Sequence, residues 1–289
     1  MIYDCFNFYN EFELLDIRLN ELDSVVDKFV IVESTVTFTN NKKPLFFLEN
    51  KKKYKKFLHK IIHVVVADSP NVKNPWIIEN HQLSAVVRGL PKTCKPNDII
   101  LVSCVDEIPK PETIIKWKNK PGKHKTFMQE MSYYFINNVS KNRGLWPGTM
   151  MFSYKDLKYF PSVYAARFMP VEVEVPDGGW HMSYIGGIKK IQLKLASFSH
   201  QEYNNSKYNT PERIKRAIIE GKDPFGFGWK FKPVSISTLP KYVISNQDKF
   251  KDLLLNNKDK NPNNFLLGIL EIRHFIRVNF LRKIRMLFS

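Results

Sequence analysis

The chain alternates between short uninterrupted apolar runs and segments whose apolar residues recur every three or four positions. Ile2 to Phe6 reads as a first strand, and a helix from about Asn10 to Leu22 places Leu14, Leu15, Leu19 and Leu22 on one face. Lys28 to Glu33, with Phe-Val-Ile-Val at its centre, has the continuous apolar character of a strand covered on both sides. Ile61 to Ala67 is a third strand, Ile77 to Leu90 a helical segment, and Ile99 to Ser103 a fourth, β-branched strand. Strands separated by helical or long crossover segments predict an α/β fold with three layers and a mostly parallel central sheet, its N-terminal half Rossmann-like.

The second half has a different texture. Lys125 to Asn137 is rich in aromatic and β-branched residues, Trp146 to Ser153 suggests a short strand pair, and Gly178 to Gly187 reads as a loop bracketed by two glycine pairs. Helices are expected at about Lys189 to Ser197 and Pro211 to Glu220, followed by an irregular stretch, Pro224 to Pro233. No internal repeat or clean linker appears, so residues 1–263 form one compound domain. A basic amphipathic helix over 264–289 carries Arg273, Arg277, Arg282, Lys283 and Arg285 beside an apolar face. That helix has two readings, peripheral contact with a membrane or packing on the domain or in a homodimer.

Composition narrows the class. A 43% hydrophobic chain of 289 residues is globular and large enough for a full core. No apolar window spans a bilayer, and no basic n-region precedes an apolar stretch. Cys5, Cys94 and Cys104 are an odd number without zinc-ligand spacing, which predicts reduced thiols and, with the absent signal, a cytoplasmic protein. The net charge of +17 favours polyanions, nucleotide phosphates among them. Nucleic acid is set aside, because no RRM, helix-turn-helix or zinc-finger pattern accompanies the charge.

The densest chemistry is Asp98-Ile-Ile-Leu-Val-Ser-Cys-Val-Asp-Glu-Ile-Pro109. Asp106 and Glu107 would stand just beyond the carboxyl end of a buried strand, where open α/β sheets bind ligands. Adjacent carboxylates there call for a cation or donors, so a hard divalent metal bridging to phosphate is one reading. The other is a helix start, with Asp106 as N-cap and Pro109 in the first turn.

Several segments, taken in order, resemble the family 17 glycosyltransferases, the N-acetylglucosaminyltransferase III family. They are Tyr3 to Glu11, Leu15 to Leu22, Val26 to Ser34, Thr37-Phe-Thr39, Asn74-Pro-Trp76, Val105-Asp-Glu-Ile-Pro109, Gly179-Trp-His-Met-Ser-Tyr184 and Ala196 to Glu202. The resemblance implies a GT-A-like fold, a UDP-sugar donor, most simply UDP-N-acetylglucosamine, a glycan acceptor, and inverting transfer with Mn²⁺ or Mg²⁺. On that resemblance the catalytic group would be Asp106, Glu107, His181 and Glu202, with metal on Asp106 and His200; Asp177 joins it as a base candidate by position alone, and His181 has a second reading as a structural residue beside Trp180. The nucleotide-sugar would meet Asp4, Phe6, Glu11, Arg18, Glu33, Gln82, Cys104, Val105, Trp180 and Tyr184. His200 and Glu202 have a second reading as helix-capping groups, and Trp180 and Tyr184 one as core aromatics.

Two positions depart from the family pattern. Cys104 replaces the first carboxylate of Asp-x-Asp-Glu-Ile-Pro, and a thiol is a poor ligand for hard cations. Leu83 replaces an arginine after Gln82. These departures carry an alternative, a catalytically impaired sugar-nucleotide or glycan-binding protein on the same fold.

Overall fold

The computed structural model describes residues 1–255. The amphipathic segment 264–289 and the boundary before it lie outside the described residues. Among the described residues, no helix is long and apolar enough to cross a membrane.

The first half follows the apolar runs closely. Strand β1 (Ile2–Asn7), helix α1 (Phe12–Leu22), β2 (Lys28–Ser34), helix α2 (Phe46–Asn50), β3 (Ile61–Val66), helix α3 (Pro75–Ser84) and β4 (Ile99–Cys104) succeed one another. All three pairings in the order β3-β2-β1-β4 are parallel. Because side chains alternate across a strand, Phe6, Phe29, Ile31 and Leu101 pack with Leu15, Leu19 and Leu22 of α1. Cys5, Val30, Val32, Ile100 and Val102 pack with Leu83 on the other face. This is the three-layer, Rossmann-like half that the apolar runs predict. Its sheet order reverses direction between β1 and β4, the point where such sheets leave a crevice beyond their carboxyl ends.

The second half adds strands of both senses. β5 (Glu107–Pro109), helix α4 (Pro111–Trp117), β6 (Lys125–Tyr133), β7 (Asn138–Ser140) and β8 (Trp146–Ser153) come first. Helix α5 (Val163–Ala166), β9 (Val173–Val175), β10 (Gly179–Ser183), helices α6 (Ile188–Ser197) and α7 (Pro211–Glu220), β11 (Phe231–Pro233) and the short helices α8 (Lys241–Ser245) and α9 (Gln247–Phe250) follow. β8 pairs antiparallel with both β4 and β6, extending the sheet to the order β11-β7-β6-β8-β4-β1-β2-β3.

Three local expectations are corrected. Trp146 to Ser153 is one eight-residue strand rather than a pair. The glycine-bracketed segment is not wholly loop, since Gly179 to Ser183 forms β10, antiparallel to β5 and parallel to β6. Its alternation explains the strand: Trp180 and Met182 enter an apolar cluster with Leu14, Ile17 and Val243, while His181 and Ser183 face a cavity. Gly179 sits at φ 124°, and a Cβ there would come within 2.2 Å of the Ile108 carbonyl oxygen, so the strand enters the sheet only through glycine. The helix-start reading of Asp106 also fails, because the next helix begins at Pro111, after Lys110.

Candidate functional site

The crevice beyond β1 and β4 opens into a cavity of about 520 Å³, closed on its other sides by α3, β10, α6 and the segment before β11. Its floor is the turn at Val105 and Asp106, and the shape of that turn is set from below. Arg18 of α1 is fully buried and ion-paired with the equally buried Asp4 at 2.6 Å. The same guanidinium donates to the backbone carbonyls of Cys104 (2.8 Å) and Glu107 (2.9 Å) and to Ser103 Oγ (2.7 Å). An aligned guanidinium fork of this kind fixes geometry that a lysine cannot. The turn carrying the candidate chemistry is thereby tied to the first helix through backbone atoms.

Asp106 is 6% exposed, and its Oδ2 accepts from Lys194 Nζ at 2.8 Å. Lys194 projects from α6 and also donates to Ser183 Oγ at 3.0 Å. His181 Nε2 faces the same carboxylate oxygen at 3.7 Å. Burial works to raise the Asp106 pKa, but the charge of Lys194 and the contact with His181 outweigh it and hold the carboxyl well below the usual range. Burial likewise opposes the charge on Lys194, and Asp106 overcomes it, keeping the ammonium protonated. The pair is therefore ionised, half-enclosed and open to the cavity.

Glu107 is differently engaged. Its carboxylate accepts from Trp146 Nε1 (2.8 Å), from the Cys104 backbone N–H (2.9 Å) and from both ends of the Arg167 guanidinium, one at 3.0 Å. Burial pushes its pKa up, and Arg167 pulls it further down. Every lone pair is occupied, so Glu107 builds the wall. Cys104 lines the cavity, and burial, with Glu107 next in effect, raises its thiol pKa well above the ordinary value, so it stays a neutral thiol.

A third carboxylate of the cavity is Glu79. It projects from α3, whose N-terminus is set by Asn74 capping Trp76 and by Pro75 in the first turn. Glu79 accepts from the Ser199 hydroxyl. Burial raises its pKa, with Ser199 and Arg167 pulling the other way. A cavity carboxylate whose burial favours the protonated form is a candidate for acid–base work.

The sequence model of glycosyltransferase family 17 matches residues 1–260. The chain belongs to glycosyltransferase family 17. It is similar to beta-1,4-mannosyl-glycoprotein 4-beta-N-acetylglucosaminyltransferase of rat, 24% identical over 297 residues, covering 88% of this chain and 54% of the relative. The human protein of the same description is 28% identical over 297 residues, covering 88% and 55%. This family 17 chain thus spans about half the length of the curated relatives it matches. Among solved structures, the mannosyltransferase PcManGT from Pyrobaculum calidifontis in complex with GDP-Man and Mn²⁺ matches with a TM-score of 0.38 and 14% identity, over 61% of this chain and 56% of that one.

The family 17 motifs converge in part. Glu11, Gln82, Cys104, Val105, Asp106, Glu107, His181, Tyr184 and His200 all line the cavity. Glu202 does not line it, and instead its Oε1 lies 2.6 Å from His200 Nδ1. Six expected positions lie elsewhere. Asp4, Phe6 and Arg18 form a closed cluster under the floor, the Phe6 ring 4.3 Å below the guanidinium. Glu33 is fully buried and caps α2, accepting from Phe47 N–H at 2.7 Å and Leu48 N–H at 3.3 Å. Trp180 donates to the Thr238 carbonyl at 2.9 Å from within the apolar core. Asp177 is exposed and ion-paired with Lys110 on the outside of the sheet. For Asp4, Phe6 and Trp180 the strand alternation turns the side chain away from the crevice, and for Glu33 backbone donors of α2 claim the carboxylate.

The expected metal meets a donor set that does not fit it. Among the described residues, no three His, Cys, Asp or Glu side chains converge. Asp106 is already held by an ammonium and faced by a histidine, and His200 is engaged with Glu202 and packs edge-on to Trp76 at 4.6 Å. No spacing or motif in the sequence points to Lys194, Arg167 or Glu79. Lys194 sits beside the apolar stripe Ile188, Ile191 and Leu195 of α6, and that adjacency is the only signal the sequence offers for a lysine drawn inward.

Proposed function

We propose that this chain transfers a sugar, N-acetylglucosamine by its resemblance, from a UDP-sugar to a glycan hydroxyl with inversion. The observation that carries the reading is the ionised Asp106–Lys194 pair in the crevice between β1 and β4. Breaking the bond between the anomeric carbon and a diphosphate leaves growing negative charge on the departing oxygen. A preorganised ammonium in a half-enclosed cavity stabilises that charge more effectively than water does. Lys194 has three donors, of which Asp106 and Ser183 take two, leaving the third for a phosphate oxygen. Lys43 lines the same cavity, giving the diphosphate a second cation.

Transfer also requires a base for the incoming hydroxyl, and Glu79 is suited to it because its burial favours proton uptake. Asp106 in this scheme holds and orients Lys194. His181 contributes a buried Nδ1 with no protein hydrogen-bond partner, a site for a sugar hydroxyl. The decisive experiment measures UDP release from a panel of UDP-sugars, in EDTA and in Mn²⁺, for the wild type and for Lys194→Ala. Donor-dependent UDP release that falls in the variant is expected, and a wild type that neither binds UDP nor releases it overturns the reading.

A second reading rests on Cys104. With a neutral thiol where relatives of this pattern carry a carboxylate, the fold would hold a sugar-nucleotide or glycan without turning it over. UDP binding without release from any donor is the outcome that selects it.

A further inference from the structure

One wall of the cavity has no part in the chemistry above. The segment Asp223-Pro-Phe-Gly-Phe-Gly-Trp229 is wound around a single buried carboxylate. Asp223 Oδ1 accepts from the backbone N–H groups of Phe225 (2.9 Å), Gly226 (2.7 Å) and Phe227 (3.0 Å), and Oδ2 accepts from Trp229 (2.9 Å). Gly226 and Gly228, at φ 92° and 77°, supply the left-handed turns this winding needs. Such a nest fixes the loop without using any of its rings. Phe225 packs inward on Tyr184 and Tyr203, and the other two rings are displayed: Phe227 stacks on Trp229 with centroids 4.6 Å apart, and Phe227 is still 49% exposed.

The display is continuous with the charged centre. Lys194 lies 5.2 Å over the Tyr184 ring, Tyr184 is 5.5 Å from Phe225, and Phe225 is 5.9 Å from Phe227. Tyr184 itself holds a left-handed backbone, φ 55°, at the end of β10, a conformation that costs energy for a non-glycine residue. At the far end Arg143 packs 5.2 Å from Trp229, and its buried Nε has no protein partner. The loop leads into β11, the edge of the sheet opposite β3, so Asp106 at the end of β4 stands between this wall and the β1–β2 end of the crevice.

We propose that the 223–229 loop is the acceptor platform, where a pyranose ring of a glycan lays its C–H face on Phe227 and Trp229. This rests on the transferase reading above. The apolar rings match the flat face of a sugar, and the unpartnered nitrogens, Arg143 Nε as a donor and His181 Nδ1, match its hydroxyls. The nucleotide is left to the β1–β2 end, and the two substrates meet at Asp106 and Lys194.

The test uses the full chain on an array of mannose- and N-acetylglucosamine-terminated oligosaccharides with saturating UDP, together with calorimetric titration of UDP alone. Phe227→Ala and Trp229→Ala should each weaken oligosaccharide binding about tenfold, ~1.4 kcal/mol, with unchanged UDP affinity and an unchanged melting curve. Weakened UDP binding in either variant would place the nucleotide base on the loop and overturn the proposal. So would a wild type that binds UDP and retains no oligosaccharide. A wild type that fails to bind UDP at all instead removes the transferase reading on which the platform rests.

Discussion

Two buried carboxylate–cation pairs lie on either side of the turn at residue 105, and they are built for opposite ends. Asp4 and Arg18 are both fully buried, and the guanidinium is shared among a carboxylate, a hydroxyl and backbone carbonyls. Nothing there is left over to bind. Asp106 and Lys194 are joined at a similar distance, 2.8 Å, but the lysine is 28% exposed to the cavity and keeps a donor in reserve. The same electrostatic unit is therefore a rivet when it is saturated and a site when it is not. The guanidinium's five donors are consumed at the closed pair, and the ammonium's three are not at the open one.

The comparison is broken most severely at the closed pair. Arg18→Ala leaves Asp4 charged and buried with no counter-ion, so urea unfolding should show a loss of about 3–5 kcal/mol. If stability is unchanged, Arg18 is not the rivet described. At the open pair the effect should move from stability to rate. Lys194→Ala should lower UDP release by about 10²–10³-fold, the scale of removing one preorganised transition-state donor, with a smaller shift in unfolding because the cavity admits water to Asp106. The pH dependence sharpens this. A depressed folded-state pKa at Asp106 contributes stability above the ordinary aspartate range and loses it as the pH falls. The acid limb of the wild-type stability curve should therefore shrink in Lys194→Ala.

Glu79 tests the carboxylate with no counter-ion of its own. Its raised pKa means that the base becomes protonated, and the rate falls, at a higher pH than for an ordinary glutamate. Glu79→Gln should flatten that acid limb and reduce turnover about 100-fold, as read from pH–rate profiles. The smallest effect is expected at Cys104→Asp. A second carboxylate beside Asp106 would give the turn a ligand pair for a hard cation, and calorimetry should show Mn²⁺ binding about tenfold tighter than in the wild type, ~1.4 kcal/mol. Equal Mn²⁺ affinity would mean that Lys194 still holds Asp106.

How much of this was legible in the sequence follows the same division. The parallel half was readable because runs such as Phe29 to Val32 and Ile99 to Ser103 are buried on both faces and have no other comfortable conformation. β10 is hidden in the sequence because its flanking glycines signal turns, and the close approach that requires Gly179 involves a carbonyl 71 positions away in the chain, that of Ile108. Asp106 stood out by its place after a strand. Its partner did not, since Lys194 lies 88 residues later and Arg167 lies 60 residues from Glu107, each among many other basic residues. Asp4 and Glu33 were misplaced for a related reason. A strand-end position shows that a side chain is near a crevice, and only the pleat shows on which side.

The Arg18 brace has a further consequence, for how this turn is able to change over evolutionary time. It grips the loop by the carbonyls of residues 104, 105 and 107, atoms that every amino acid supplies. The side chain at 104 is thus released from any duty in shaping the turn, and a thiol or a carboxylate can stand there without the floor giving way. Drift at that position is cheap in stability and costly only in chemistry, which makes residue 104 a place where related chains can trade one way of handling negative charge for another.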